Sequence, residues 1–309
     1  MTMPEMRFDG RVCIITGAGG GLGRAHALEL ARRGAKVLVN DLGGALDGSG
    51  ASTSAAQLVV EEITSLGGQA APNHDSVATP AGGAAIVQAA LSAFGRVDVV
   101  VNNAGILRDK AFHKMDPTAI DDVVDVHLKG ALYVSQPAFR LMREQGYGRI
   151  INTSSASGLF GNFGQANYGA AKAGLAGLTR VLALEGAGHG IAVNAIAPIA
   201  STRMTADLLG ELAPRVSPDS VSPMVAYLAH EDCSVNGNVY SVAGGRVARI
   251  VVVETEGVVL PENSAEAVRD HLALIDRQSA QGYHEPTSLD DETSIIAKAL
   301  SNALIPLDE

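Results

Sequence analysis

The chain has 309 residues, of which 47% are hydrophobic and 18% charged, with a formal net charge of −10. This length and apolar share can bury a sizeable core, which excludes a disordered or fibrous chain. The acidic balance disfavours a nucleic acid or an anionic membrane surface as partner, and two cysteines, Cys13 and Cys233, are too few for a disulfide framework.

In chain order, short β-rich apolar runs alternate with longer helical patterns, the signature of βαβ units around a parallel sheet. Strands are expected at Val12–Thr16, Lys36–Asn40, Gln69–Asn73, Val97–Asn102, Arg149–Thr153, Ile191–Ile196 and Asn238–Val242. Helices are expected at Leu22–Arg33, Ser54–Leu66, Pro80–Phe94, Pro117–Gln145, Gly164–Gly186 and Pro218–Ala229, with Asp116 and Pro117 forming a good cap and first-turn pair. The fold class that follows is α/β, a doubly wound parallel seven-stranded sheet with helices on both faces. One domain over 1–309 is the economical reading, with a core over about 8–247 and a C-terminal extension over 248–309. From residue 246 onward twelve acids face five bases, so the tail carries −7 of the net charge. It holds helical patterns at Ser264–Ile275 and Asp290–Leu304 but no evident chemistry, and its expected role is packing or an oligomer contact. Loop Asp41–Thr53, rich in Gly and Ser, reads either as a flap beside the ligand or as a tolerated surface insertion.

No run is long and apolar enough to span a bilayer, and Met1 to Gly10 lacks the apolar core of a signal sequence. The expectation is a cytoplasmic protein with no membrane span and no metal.

The turn after the first strand carries Gly17, Gly21, Leu22 and Gly23 in the spacing G-x-x-x-G-x-G. Glycines there let backbone N–H groups approach a pyrophosphate and start a helix whose positive end faces it. Asp41, eighteen residues after Gly23, ends the second strand. A carboxylate there accepts ribose hydroxyls and repels a 2′-phosphate, which favours NAD over NADP. The alternative for Asp41 is a turn residue before Gly43-Gly44. Asp75 and Ser76 follow the third strand, where they can meet an adenine ring. Asn103-Ala104-Gly105 follow the fourth, small enough for the backbone to pass close to a cofactor.

Tyr168 and Lys172 stand at i and i+4, on one helix face, with Ser155 thirteen residues upstream. A unit charge about 4 Å from the phenol, at an effective dielectric of roughly 20, supplies about 4 kcal/mol, or about three pK units. The expectation is a tyrosine that titrates near neutral pH and serves as a general base.

These motifs together resemble the short-chain dehydrogenase/reductase family, whose Rossmann-type core matches about residues 8 to 247. The match runs through T-G-x-x-x-G-x-G at 16–23, N-A-G at 103–105, Ser155, Y-x-x-x-K at 168–172 and Pro198. The resemblance implies that Ser155 holds the substrate oxygen, Tyr168 moves its proton, and Lys172 also binds the nicotinamide ribose. Thr202 becomes the partner of the nicotinamide amide. His127 stands where the wider family has a catalytic Asn, and it either preserves a water route from Lys172 to solvent or is simply a packed histidine.

A narrower similarity runs through Val39–Gly44, Val101–Asp109, Tyr147–Ile151, Gly161–Tyr168 and Ala265–Asp270. It points to the (3R)-hydroxyacyl-CoA dehydrogenase part of the peroxisomal multifunctional enzymes type 2, also described as 17β-hydroxysteroid dehydrogenases type 4. The implied activity is NAD-dependent oxidation of a (3R)-hydroxyacyl-CoA in β-oxidation of fatty acyl or steroid side-chain thioesters. Alternatives are a 17β-alcohol dehydrogenase on free steroids, a 3-oxoacyl-carrier-protein reductase, which Asp41 disfavours, and a silent NAD-binding protein. Arg108, Lys110 and Arg203 are candidates for CoA phosphates or ordinary solvated charges. The family also implies a homo-oligomer, with 117–145 and 164–186 as candidate interfaces.

Overall fold

A computed structural model describes residues 5–45, 47–202, 210–277 and 282–303. The chain divides into two compact units, Met1–Arg249 and Ile250–Glu309.

The first unit is built on strands β1 (Val12–Thr16), β2 (Lys36–Asn40), β3 (Gln69–Asn73), β4 (Val99–Asn102), β5 (Gly148–Thr153), β6 (Ile191–Pro198) and β7 (Val239–Ala243), followed by β8 (Arg246–Ile250). Their spatial order is β3-β2-β1-β4-β5-β6-β7-β8, and β1 to β7 pair in parallel. The sheet therefore has eight strands rather than the expected seven. The additional one follows β7 after only Gly244 and Gly245, both with positive φ, and so short a connection returns the chain antiparallel along the sheet edge.

Helices α1 (Gly21–Arg32), α2 (Ser54–Ser65), α3 (Pro80–Phe94), α4 (Pro117–Val124), α5 (Gly130–Gln145), α6 (Ala156–Phe160), α7 (Ala166–Ala187) and α8 (Ser222–Ala229) cover both faces. The central strands alternate between two cores. Cys13 and Ile15 of β1 pack with Leu30, Ile63 and Val225 from α1, α2 and α8. Val12 and Ile14 pack with Ile86, Val134 and Met142 from α3 and α5. Burial on both faces explains the unbroken apolar runs, and each fully buried Ile contributes about 1.5–3 kcal/mol.

Two helical expectations change in detail. The run 117–145 is continuous in backbone conformation, yet Asp125–Lys129 forms a π-helical turn between α4 and α5. Its start is as predicted: Asp116 accepts the Ala119 N–H at 2.9 Å, and Pro117 occupies the first turn. The run 218–229 opens as a 3₁₀ turn, Pro218–Ser220, before α8. The short α6 was not expected.

In the second unit, α9 (Ala265–Ile275) is capped by Ser264, whose Oγ accepts the Ala267 N–H at 3.0 Å. The chain then forms α10 (Leu289–Ala303), and Glu254 and His284 make a backbone bridge. Leu304, the expected end of the last helix, lies outside the described residues.

Candidate active site

Strand order reverses between β1 and β4, and ligands of open α/β sheets bind outside the carboxyl ends of the strands at such a point. A cleft of about 600 Å³ opens there, within the range of small-molecule and cofactor sites. It is lined by Gly17, Gly21, Leu22, Asp41, Asp75, Ser76, Asn103, Ala104, Gly105, His127, Ser155, Tyr168, Lys172 and Thr202. The structure thus brings together residues that the sequence scatters over more than 180 positions.

Gly23 is the exception, because it does not line the cleft. A Cβ there would fall 2.2 Å from the Gly17 carbonyl and 2.6 Å from Asn103 Nδ2. Its glycine is required by the packing of α1 against the turn rather than by a ligand. Gly17 has φ 63° and a Cβ there would meet Ala104 Cα at 2.7 Å, so N-A-G braces the turn from behind. Asn103 Nδ2 completes the brace by donating to the Thr16 and Gly17 carbonyls, both at 3.0 Å.

The turn fits a dinucleotide. Gly20 caps α1 without any side-chain hydrogen bond, so the first backbone N–H groups remain to meet an anion. Asp41 receives the Gly19 N–H at 2.7 Å on Oδ2 and the Gly43 N–H at 2.6 Å on Oδ1. Asp41 thus closes the turn that starts the following loop, and it also lines the cleft. That loop does not stand away from the protein: Asp47 O accepts Arg108 Nε at 2.9 Å, and Gly48 lies against Ile106. Arg108 also pairs with Asp122 at 2.9 Å, so its guanidinium is already engaged. Arg203 lies outside the described residues.

Ser155, two residues beyond the end of β5, is the cap of α6 and accepts the Ser157 N–H at 3.2 Å. Its neighbour Ser154 is committed elsewhere, donating to the Lys172 carbonyl at 2.8 Å. Asn167, which sequence reading passed over, fixes the start of α7. Its amide donates to Arg108 O at 3.2 Å and Ala119 O at 2.9 Å, and its Oδ1 accepts the Tyr168 N–H at 2.8 Å. Gln165, also passed over, lines the cleft and donates to Asp109 Oδ2 at 2.6 Å. A polar pair just before a catalytic-type tyrosine is the only signal the sequence offers for them.

The electrostatics depart from the expected ammonium–phenolate pair. Lys172 is buried; its Nζ donates to the Thr153 carbonyl at 2.5 Å and lies 5.4 Å from the centre of the Tyr168 ring. Burial lowers Lys172 to about 7. Tyr168 is itself raised above its ordinary value, chiefly by burial; the hydrogen bond with Ser155 pulls the other way, and Asp109 adds to the rise. The charge that was to make Tyr168 a base at neutral pH is weakened in the free protein by its own burial.

His127 sits on the π turn, with its ring edge-on to Tyr168 at a centroid distance of 5.1 Å. Its Nε2 lies 2.8 Å from the Ile106 carbonyl and 3.0 Å from the Ile106 N–H. Burial and the nearby Lys172 hold it well below its ordinary range, so it is neutral. Among the described residues no helix is long and apolar enough to cross a membrane, and no cluster of metal-ligating side chains occurs.

The family model for short chain dehydrogenases matches residues 11–211. A Mycobacterium tuberculosis protein named as a short-chain type dehydrogenase/reductase is 55% identical over 80% of this chain and 87% of its own length. Mouse peroxisomal multifunctional enzyme type 2 is 46% identical over 96% of the chain, which spans only 40% of that protein. The full-length Drosophila melanogaster enzyme of the same name superposes with a TM-score of 0.80 at 37% identity, over 96% of this chain and 50% of that one. A 7α-hydroxysteroid dehydrogenase in complex with NADH and 7-oxo glycochenodeoxycholic acid superposes with a TM-score of 0.69 at 29% identity, over 77% of this chain and 95% of that one.

Proposed function

The chain belongs to the short-chain dehydrogenase/reductase family and is an oxidoreductase; from that premise we propose that it oxidises the 3R hydroxyl of a hydroxyacyl-CoA with NAD. One observation carries the reading: Ser155, Tyr168 and Lys172 line the same cleft as the glycine turn and Asp41. The names of the mouse and Drosophila relatives support placing the reaction in β-oxidation.

When bound, NAD supplies the hydride acceptor. The turn Gly17–Leu22 and the N-terminus of α1 hold its pyrophosphate, Asp41 takes a ribose hydroxyl, and Asp75 and Ser76 border the adenine. Thr202, which lies against Gly21, meets the nicotinamide amide. Ser155 accepts or donates to the substrate oxygen and keeps it beside the Tyr168 hydroxyl. Tyr168 removes the alcohol proton as carbon gives up hydride, so one C–H and one O–H bond break and a carbonyl forms. A protonated Lys172 stabilises the phenolate form of Tyr168, which receives the alcohol proton and becomes the neutral phenol.

Several further readings belong to this proposal. A cytoplasmic location suits two unpaired cysteines, Cys13 and Cys233. Assembly through α5 and α7 is supported by the exposed Leu132, Val181 and Leu184 on those helices, and light scattering of the purified protein tests it.

The decisive experiment measures NADH formation with (3R)- and (3S)-hydroxyacyl-CoA esters of several lengths, steroid side-chain CoA esters and free 17β-hydroxysteroids. Clear preference for a 3R thioester is expected. Preference for a free steroid alcohol would replace the substrate class, and absence of NADH with every alcohol would overturn the reading.

A further inference from the structure

One polar corner of the cleft is used neither by the cofactor site nor by the Ser155–Tyr168 pair. Gln165 lines the cleft and is only 7% exposed. It stands on the segment between Ser155 and α7, which continues from the end of β5. The strand order puts β5 beyond β4, away from β1, β2 and β3, whose ends carry the glycine turn, Asp41 and Asp75. Gln165 therefore belongs to the half of the cleft around Ser155 and Tyr168, opposite the adenosine half.

The orientation of its amide is determined. The Asp109 carboxylate only accepts, so the Gln165 nitrogen faces it, with Nε2 donating to Oδ2 at 2.6 Å. Oε1 then faces Asn162, whose Nδ2 donates to it at 3.0 Å. A flipped amide would set oxygen against the carboxylate. Nε2 carries two N–H groups, and the second meets no acceptor among the described residues. At a buried position an unanswered donor is costly. The helix does not use it either: Gln165 precedes α7 as its cap residue, yet its side chain makes no capping bond. The Gly169 N–H instead donates to the Gln165 backbone carbonyl at 2.7 Å, which ties the residue to the turn that carries Tyr168. Asp109, on the other side of the amide, contributes to the field at the Tyr168 phenol, so the pair lies close to the reacting end of the cleft.

We propose that Gln165 is a specificity-determining residue that donates this second N–H to the thioester carbonyl of a 3-hydroxyacyl-CoA, while Ser155 and Tyr168 hold the C3 oxygen, and that Asp109 and Asn162 are positioning residues for the amide. Such a substrate carries two oxygens in a 1,3 relation, the reacting hydroxyl and a carbonyl that only accepts. The corner answers both, with a donor at the cap of α7 and the hydroxyl pair beside it. A free 17β-hydroxysteroid has no acceptor in that relation and leaves the buried N–H unanswered. Sites built to bond a substrate group discriminate against analogues that lack it. The thioester carbonyl keeps its oxygen throughout hydride transfer, and no bond forms or breaks at Gln165. The contact is thus made alike in the ground state and the transition state, so its loss is read in KM and not in kcat.

This inference rests on the reading of the substrate as a (3R)-hydroxyacyl-CoA, and the experiment separates the two. Wild-type protein and Gln165→Met, which keeps the length of the side chain without its donors, are assayed for NADH formation with a (3R)-hydroxyacyl-CoA and with the matching 3-hydroxyalkyl-CoA thioether, which lacks the carbonyl. The wild type should show a KM about tenfold lower for the thioester than for the thioether. Gln165→Met should raise the thioester KM by about tenfold with kcat nearly unchanged, and leave both the thioether KM and NAD affinity where they were. Asn162→Ala, which frees Oε1 and lets the amide swing, should raise the thioester KM by about threefold, and it replaces Gln165→Met if that protein does not fold. Equal KM values for the two compounds with wild type, or an equal loss with both in the variant, overturn the role of Gln165 and leave the reaction as proposed. No NADH from wild type with the thioester overturns both.

Discussion

A Cβ on Gly105 would fall 2.3 Å from Cε1 of His127 and 3.0 Å from its Nδ1. The glycine of N-A-G is thus required by the imidazole packed against it, whatever the loop also does for a cofactor. Gly105→Ala should push the ring off the Ile106 backbone and destabilise the fold by about 1–3 kcal/mol, as overpacking does. His127→Ala removes the obstacle, so the double variant should lose less stability than the two single ones added together. Urea denaturation of all four proteins completes the cycle; strict additivity would show that the two positions do not compete for space.

Tyr168→Phe removes the one hydroxyl placed to take a proton while leaving the ring that packs against His127. The expected result is a fall of about 10²–10⁴-fold in kcat, the usual worth of a general base. NAD affinity should be unchanged, because the phenol oxygen supplies none of the pyrophosphate contacts. Stopped-flow hydride transfer and a separate NAD titration check both halves, and near-normal turnover would reassign the base.

How far the sequence carries this picture depends on the range of the interactions involved. The strands of the core and the glycine turn were legible because apolar periodicity and φ-permissive residues act locally. The placement of Ser155, Tyr168 and Asp41 at one cleft followed once strand ends were located. The π turn at 125–129 was not legible, since one additional residue per turn leaves the helical pattern almost unchanged. Strand β8, Arg-Val-Ala-Arg-Ile, has too mixed a pattern to stand out from its tail, although Gly244-Gly245 was a hairpin signal. The electrostatic state of Lys172 and Tyr168 was not legible for a physical reason: i,i+4 spacing fixes where two Cβ atoms lie, while the burial that lowers Lys172 and raises Tyr168, and the Nζ contact with the Thr153 carbonyl, come from the tertiary fold.

Asp41 offers a test of cofactor choice that also reads its structural part. Both of its oxygens already hold backbone N–H groups, from Gly19 and Gly43. Asp41→Asn keeps one acceptor and loses the charge. NAD should bind about tenfold more weakly, near 1.4 kcal/mol, while NADP gains because the repulsion of its 2′-phosphate is gone. Isothermal titration with both cofactors measures the change in ratio, and an unaltered preference would mean that selectivity comes from another group.

The buried Lys172 makes a prediction about stability that involves no substrate. Its folded value is lowered by burial from 10.5 to about 7. Between these values the unfolded chain holds the proton and the folded chain does not, so stability rises with pH across that window. The penalty for this residue is complete below about pH 7 and fades toward pH 10.5. Lys172→Met retains most of the apolar stem without the charge, so at about pH 7 the variant should be more stable than the parent, by about 1–2 kcal/mol. The gap should shrink as the pH approaches 10, because the unfolded parent then begins to lose the proton as well, and it closes only above about pH 10.5, where the amine is neutral in both states. Urea midpoints of the two cofactor-free proteins across this range test the sign: a gap that is flat with pH, or one favouring the parent near neutrality, would mean that Lys172 keeps its proton at an ordinary lysine value despite its burial.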